Sequence, residues 1–144
     1  MKTPTKKLEA RSRAATIAAG KKFATTLKPG SIVRLEGDLG AGKTTFVKGM
    51  ALGLGAKSED DVKSPTFVIM HIYFKTRIPI YHFDLYRLKS EEDLLAIGFE
   101  DFLYDRSAII CIEWAEKAEK VLPLSSHRVS IRIIRENARV ITFN

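Results

Sequence analysis

Gly37-Asp38-Leu39-Gly40-Ala41-Gly42-Lys43-Thr44 decides how the rest of the chain is read. Glycine, four residues, then Gly-Lys-Thr is the spacing of a phosphate-binding loop. The glycines let the backbone turn tightly and point several N–H groups at one spot. The helix that follows adds its unpaired amides and its dipole. Lys43 supplies a mobile positive charge for outer phosphates, and Thr44 a hydroxyl for the Mg²⁺ that accompanies a nucleotide. Leu39, Gly40, Ala41, Gly42, Lys43, Thr44 and Thr45 are therefore the candidate loop contacts. The flanks fit. Residues 31–36 form a short, partly β-branched stretch introduced by Pro29-Gly30, which reads as a strand. Phe46, Val47, Met50 and Leu54 then recur at helical spacing.

Working outward, residues 8–27 are alanine-rich, with Ile17, Phe23 and Leu27 apolar, which predicts one helix ended by Pro29-Gly30. Ser64-Pro65-Thr66-Phe67 leads into a β-branched and aromatic run, residues 68–74. Residues 78–84 return after Lys75-Thr76-Arg77, so the two segments are expected to pair antiparallel. Ser90 followed by Glu91, Glu92 and Asp93 starts a short helix that Gly98 ends. Ala108-Ile109-Ile110-Cys111-Ile112 is an uninterrupted apolar run, the mark of a strand buried on both faces. A short helix over residues 115–121 and a last hairpin, residues 128–135 and 139–143, complete the chain. The expected fold is α/β, a three-layer P-loop domain with a mixed central sheet and a β-hairpin insertion. The 144 residues suggest one domain, with residues 1–7 as a flexible start.

Composition bounds the function. Apolar content is 45% and charged content 28%, both ordinary for a globular protein. No apolar run approaches membrane-spanning length, and the basic start lacks the apolar segment of a secretory signal. The single cysteine, Cys111, lies inside an apolar run, which suits a reducing cytoplasm and a packing role. The formal charge of +7 admits a nucleic-acid or acidic-protein partner, and equally a solvated surface. A phosphate loop needs a second carboxylate for Mg²⁺ and a group that orients water. Two acids end strands at the edge expected to face the ligand: Glu113, read as the metal ligand, and Asp84, read as catalytic or metal-linked. Thr66 stands where a nucleotide switch could sense a γ-phosphate, and equally where a plain turn residue would. Trp114 reads as core or interface, and His71, His82 and His127 as ordinary residues.

Four blocks occur in order: Gly37 to Thr45, Lys63 to Phe67, Tyr-His-Phe-Asp-Leu-Tyr-Arg-Leu from Tyr81 to Leu88, and Ile112-Glu113-Trp114. Together they resemble the TsaE (YjeE) ATPases of bacterial tRNA threonylcarbamoyladenosine biosynthesis, over residues 13–144. The resemblance implies slow, Mg²⁺-dependent ATP hydrolysis that lets a TsaB–TsaD complex turn over, with tRNA met through that complex. It implies that Thr44 and Glu113 hold Mg²⁺, that the loop wraps the phosphates, and that Asp84 and Thr66 belong with Lys43 to the hydrolytic apparatus. It also implies that Arg139 contacts nucleotide. Two other readings stay open: a small-molecule kinase built on the same loop, and a nucleic-acid-binding module in which the loop is incidental.

Overall fold

The computed structural model describes residues 5–61 and 69–144. Among them seven strands form one sheet: β1 (Lys6–Ala10), β2 (Ile32–Glu36), β3 (Met70–Tyr73), β4 (Ile80–Asp84), β5 (Ile109–Glu113), β6 (His127–Arg135) and β7 (Ala138–Phe143). Their order across the sheet is β1-β7-β6-β2-β5-β4-β3. The middle is parallel: β2 lies between β5 and β6, and β5 continues into β4. Both margins are antiparallel, β3 on β4 at one side and β6-β7-β1 at the other. The mixed α/β sheet and the hairpin expected from the sequence are therefore present.

Among the described residues four helices flank the sheet: α1 (Arg13–Ala24), α2 (Lys43–Gly53), α3 (Glu91–Ala96) and α4 (Phe99–Leu103). The layers follow from strand alternation. Along β5, Ile109 and Cys111 join Val33, Leu35, Phe46, Val47 and Met50 in a core beneath α1 and α2. Ile110 and Ile112 point the other way and join Phe83, Leu94, Phe99 and Leu103 beneath α3 and α4. All five β5 residues are buried, as an apolar run without alternation demands.

α1 and α2 touch at backbone distance. A Cβ added at Gly49 would fall 2.2 Å from the Ile17 carbonyl oxygen, so only glycine fits there. This seam fixes the helix that carries the loop.

The first helix is shorter than predicted. Lys6 to Ala10 is a strand, because each of its residues finds a partner on β7, from Lys6↔Phe143 to Ala10↔Arg139. Lys6 and Lys7, read as part of a flexible start, are thus paired. Ser12 caps α1, its hydroxyl accepting from the Ala15 N–H at 3.0 Å. Gly98 ends α3 as expected, but α4 restarts at once from its left-handed backbone, φ 69°. The predicted helix after Trp114 is a single 3₁₀ turn, Ala115–Ala118. Thr66, and with it residues 63–67, lies outside the described residues.

Candidate functional site

Strand β2 ends at Glu36, and the chain crosses the carboxyl edge of the sheet in a tight turn. The Ala41 N–H donates to the Asp38 carbonyl at 3.0 Å. Gly42 then takes the left-handed backbone, φ 109°, as the N-cap of α2. Its carbonyl accepts the first helical bond, from the Phe46 N–H at 2.9 Å. Lys43, Thr44 and Thr45 form the first turn of an eleven-residue helix with no acid among them. The positive end of α2 therefore faces the loop without a side-chain anion of its own.

Arg139 reaches this loop from β7. Its Nε donates to the Ala41 carbonyl at 2.8 Å and one terminal nitrogen to the Gly40 carbonyl at 3.3 Å. The other terminal nitrogen donates to the carbonyls of Arg135, Glu136 and Ala138, each at 3.1 Å. The loop carbonyls are thus held toward β7. The resemblance implied a nucleotide contact for Arg139; what the structure shows is a clamp on the loop backbone. Leu39, at the loop tip, is 76% exposed.

Beside the loop lies a buried charged group. Lys43 Nζ donates to the Gly37 carbonyl at 2.7 Å and sits 3.6 Å from Glu113 Oε1. It also lies 5.1 Å from the centre of the Trp114 ring. Parallel register brings the two strand-end acids side by side, since Asp84 on β4 is the partner of Glu113 on β5, and Glu113 is the partner of Leu35 on β2. Lys43, Asp84 and Glu113 are therefore together, with Thr44 and Thr45 on the adjacent helical turn.

The two acids differ in charge behaviour. Burial pushes Asp84 above the ordinary aspartate range, helped by the negative charge of Glu113; the Tyr86 N–H bond at 2.9 Å, Lys43 and His82 oppose it only in part. Burial also pushes Glu113 upward, but there the hydrogen bond and charge of His82, with Lys43, win and hold it below the usual range. Glu113 stays ionised and Asp84 takes a proton more readily, the kind of divergence that separates roles between neighbouring acids.

Three residues were not read as functional from the sequence. His82 is fully buried, and its Nε2 lies 2.7 Å from Glu113 Oε2. The Tyr73 hydroxyl lies 3.1 Å from its Nδ1. Trp114 carries φ 60°, the one non-glycine positive φ among the described residues, and its ring meets Tyr86 at 5.0 Å. The alternation of β4 gave a usable signal for His82, because residues 82 and 84 share a face. Nothing local marks the strain at Trp114.

The donors suit a hard cation. Glu113 and Asp84 offer carboxylate oxygens and Thr44 a hydroxyl, the set Mg²⁺ takes when phosphates complete its shell. Among the described residues no cluster of three His, Cys, Asp or Glu could hold a metal unaided. A cleft of about 400 Å³ opens beside Lys43 between Glu36, Asp38, Trp114 and Arg128.

A parallel-centred sheet whose Gly-Lys-Thr loop feeds a helix, with two acids at the carboxyl edge, defines an α/β protein of the P-loop type. Comparison with known proteins narrows the class. Residues 10–141 match the family described as "Threonylcarbamoyl adenosine biosynthesis protein TsaE". The chain is 43% identical over 116 residues to the tRNA threonylcarbamoyladenosine biosynthesis protein TsaE of Treponema pallidum, covering 81% of this chain and 83% of that one. It is 41% identical over 128 residues to the Bacillus subtilis protein of that name, covering 89% and 78%. The crystal structure of Bacillus subtilis YdiB superimposes with a TM-score of 0.79 at 33% identity, over 99% of this chain and 86% of that one. The chain belongs to the TsaE family of tRNA threonylcarbamoyladenosine biosynthesis.

Proposed function

We propose that this chain binds ATP with Mg²⁺ in the loop and hydrolyses it slowly, as the nucleotide-driven component of the tRNA threonylcarbamoyladenosine machinery. The observation that carries the reading is the ionised, buried Glu113 set 3.6 Å from Lys43 at the head of α2. An anion held there beside a lysine is the arrangement a phosphate-bound cation needs.

Each residue then has a task. The amides of residues 39–45 and the α2 dipole cradle the phosphates. Lys43 leaves the Gly37 carbonyl and turns to the outer phosphates. Thr44 and Glu113 hold Mg²⁺, which when bound neutralises charge on the phosphate oxygens. Asp84 orients the attacking water, and its raised affinity for a proton suits it to take one up. Thr66 is proposed as the γ-phosphate sensor on its position in the Ser-Pro-Thr block alone, and Arg139 as a nucleotide contact only through the loop it clamps.

The partners proposed are TsaB- and TsaD-like proteins, with tRNA reached through their complex, in the cytoplasm. Among the described residues no helix is long and apolar enough to cross a membrane. A site completed on docking accounts for slow hydrolysis alone. The test is Mg²⁺-dependent ATP hydrolysis by the pure chain, with and without the TsaB–TsaD complex. Stimulation by the complex is expected, and Lys43→Ala should abolish hydrolysis while thermal unfolding remains cooperative. Unchanged hydrolysis in that variant overturns the reading.

A further inference from the structure

The buried pair behind the acid has no place in the scheme above. His82 is fully buried, Tyr73 is 6% exposed and Glu113 5% exposed. The three form a line: Tyr73 hydroxyl to Nδ1 at 3.1 Å, Nε2 to Glu113 Oε2 at 2.7 Å. An ionised carboxylate can only accept, so Nε2 carries the hydrogen. Nδ1, 3.1 Å from the Tyr73 hydroxyl, shares a hydrogen bond with it and is the acceptor whenever the ring is neutral.

This arrangement divides the carboxylate. Oε2 is tied to the ring, and Oε1 is left facing Lys43 at 3.6 Å. A glutamate side chain alone has several rotamers open to it, whereas this one is held from behind by a ring wedged between strands. His82 belongs to β4, two residues before Asp84, and its own register partner on β5 is Cys111. Tyr73 belongs to β3, which among the described residues pairs with β4 at the sheet margin. The line therefore joins the outermost strand to the loop site.

We propose that His82 is a positioning residue that presents one oxygen of Glu113 to Mg²⁺, and that Tyr73 selects the tautomer which allows it. The inference rests on the magnesium reading of Glu113 given above. It assigns a task to a buried histidine that would otherwise be core filling. Partners behind a metal ligand typically govern metal affinity by about tenfold to a hundredfold.

The test measures ADP binding by calorimetry with and without Mg²⁺, so that it does not depend on turnover. In His82→Leu, Mg²⁺-supported ADP binding should weaken by about tenfold or more, while metal-free ADP binding stays within about twofold. His82→Gln keeps an N–H near the Nε2 position and should recover most of the loss. Equal weakening with and without metal, or no weakening, overturns the proposal. Should the leucine variant not fold, nitrogen NMR of the unsubstituted, metal-free chain still decides: a ring hydrogen on Nε2 is required, and its absence there sinks the idea. Tyr73→Phe should weaken that tautomer preference and cut Mg²⁺-supported binding by a smaller factor. If the unsubstituted chain binds ADP equally with and without Mg²⁺, the magnesium reading itself fails, and the role of His82 falls with it. If Mg²⁺ matters in the parent and His82→Leu changes nothing, only the role of His82 is lost.

Discussion

Arg139 distributes its whole guanidinium over backbone carbonyls, two of them in the phosphate loop and three in its own hairpin. A lysine offers one point of donation and cannot span that set. Arg139→Ala and Arg139→Lys should therefore weaken nucleotide binding alike, by about tenfold for the loss of a charged hydrogen-bond donor. Calorimetry checks this, and a lysine variant that binds like the parent would disprove the clamp. Asp84 makes a second residue-scale prediction. Its carboxyl is pushed upward by burial in the folded chain, so it binds a proton more tightly there than when unfolded. Its ionisation then costs stability as pH rises through the folded value, and contributes nothing below the unfolded one. Asp84→Asn should raise the unfolding temperature at neutral pH, lose that advantage near about pH 3, and abolish hydrolysis. Glu113 runs the opposite way: its depressed value contributes stability above the ordinary glutamate range, lost as pH falls through its folded value.

At the scale of elements, the α1–α2 seam gives the sharpest expectation. Gly49→Ala would put a methyl carbon 2.2 Å from the Ile17 carbonyl, where no side chain can swing aside. The helices must part, at a cost of about 2 kcal/mol or more. Denaturant unfolding measures it, and a change under half that figure would mean the seam is looser than drawn. Elements whose cues are local were legible in the sequence. Ser90 does cap α3, its hydroxyl accepting from the Asp93 N–H, and the apolar run at residues 108–112 does make a strand buried on both faces. Strand β1 was not legible. Lys-Lys-Leu-Glu-Ala suits a helix on propensity, and only pairing with β7, more than a hundred residues later, makes it extended. The site followed the same division. The loop, Asp84 and Glu113 could be named because motif and strand-end position are local. The Tyr73–His82–Glu113 line could not, because it depends on the register of three strands.

At the scale of the molecule, Cys111 reports the integrity of the whole sheet. It is fully buried on the central strand β5, and burial pushes its thiol well above the ordinary range. A thiol held protonated and out of contact with water does not react. Maleimide labelling in native buffer should therefore proceed only as fast as the core opens, and in denaturant at the rate of a free thiol. Gly49→Ala should speed native labelling through the same opening. Rapid labelling of the native parent chain would contradict the burial of β5.

The pairing of β1 with β7 has a consequence for how the protein is made. Strand β1 waits for β7, made more than a hundred residues later, and β2, at the centre, pairs with β5 and β6, both made well after it. Such distant pairings form slowly. The Gly-Lys-Thr loop gains its arginine brace only when Arg139, nearly a hundred residues further on, has been translated. A stalled or truncated product would carry the whole Gly-Lys-Thr signature and still lack the support that keeps its loop in shape.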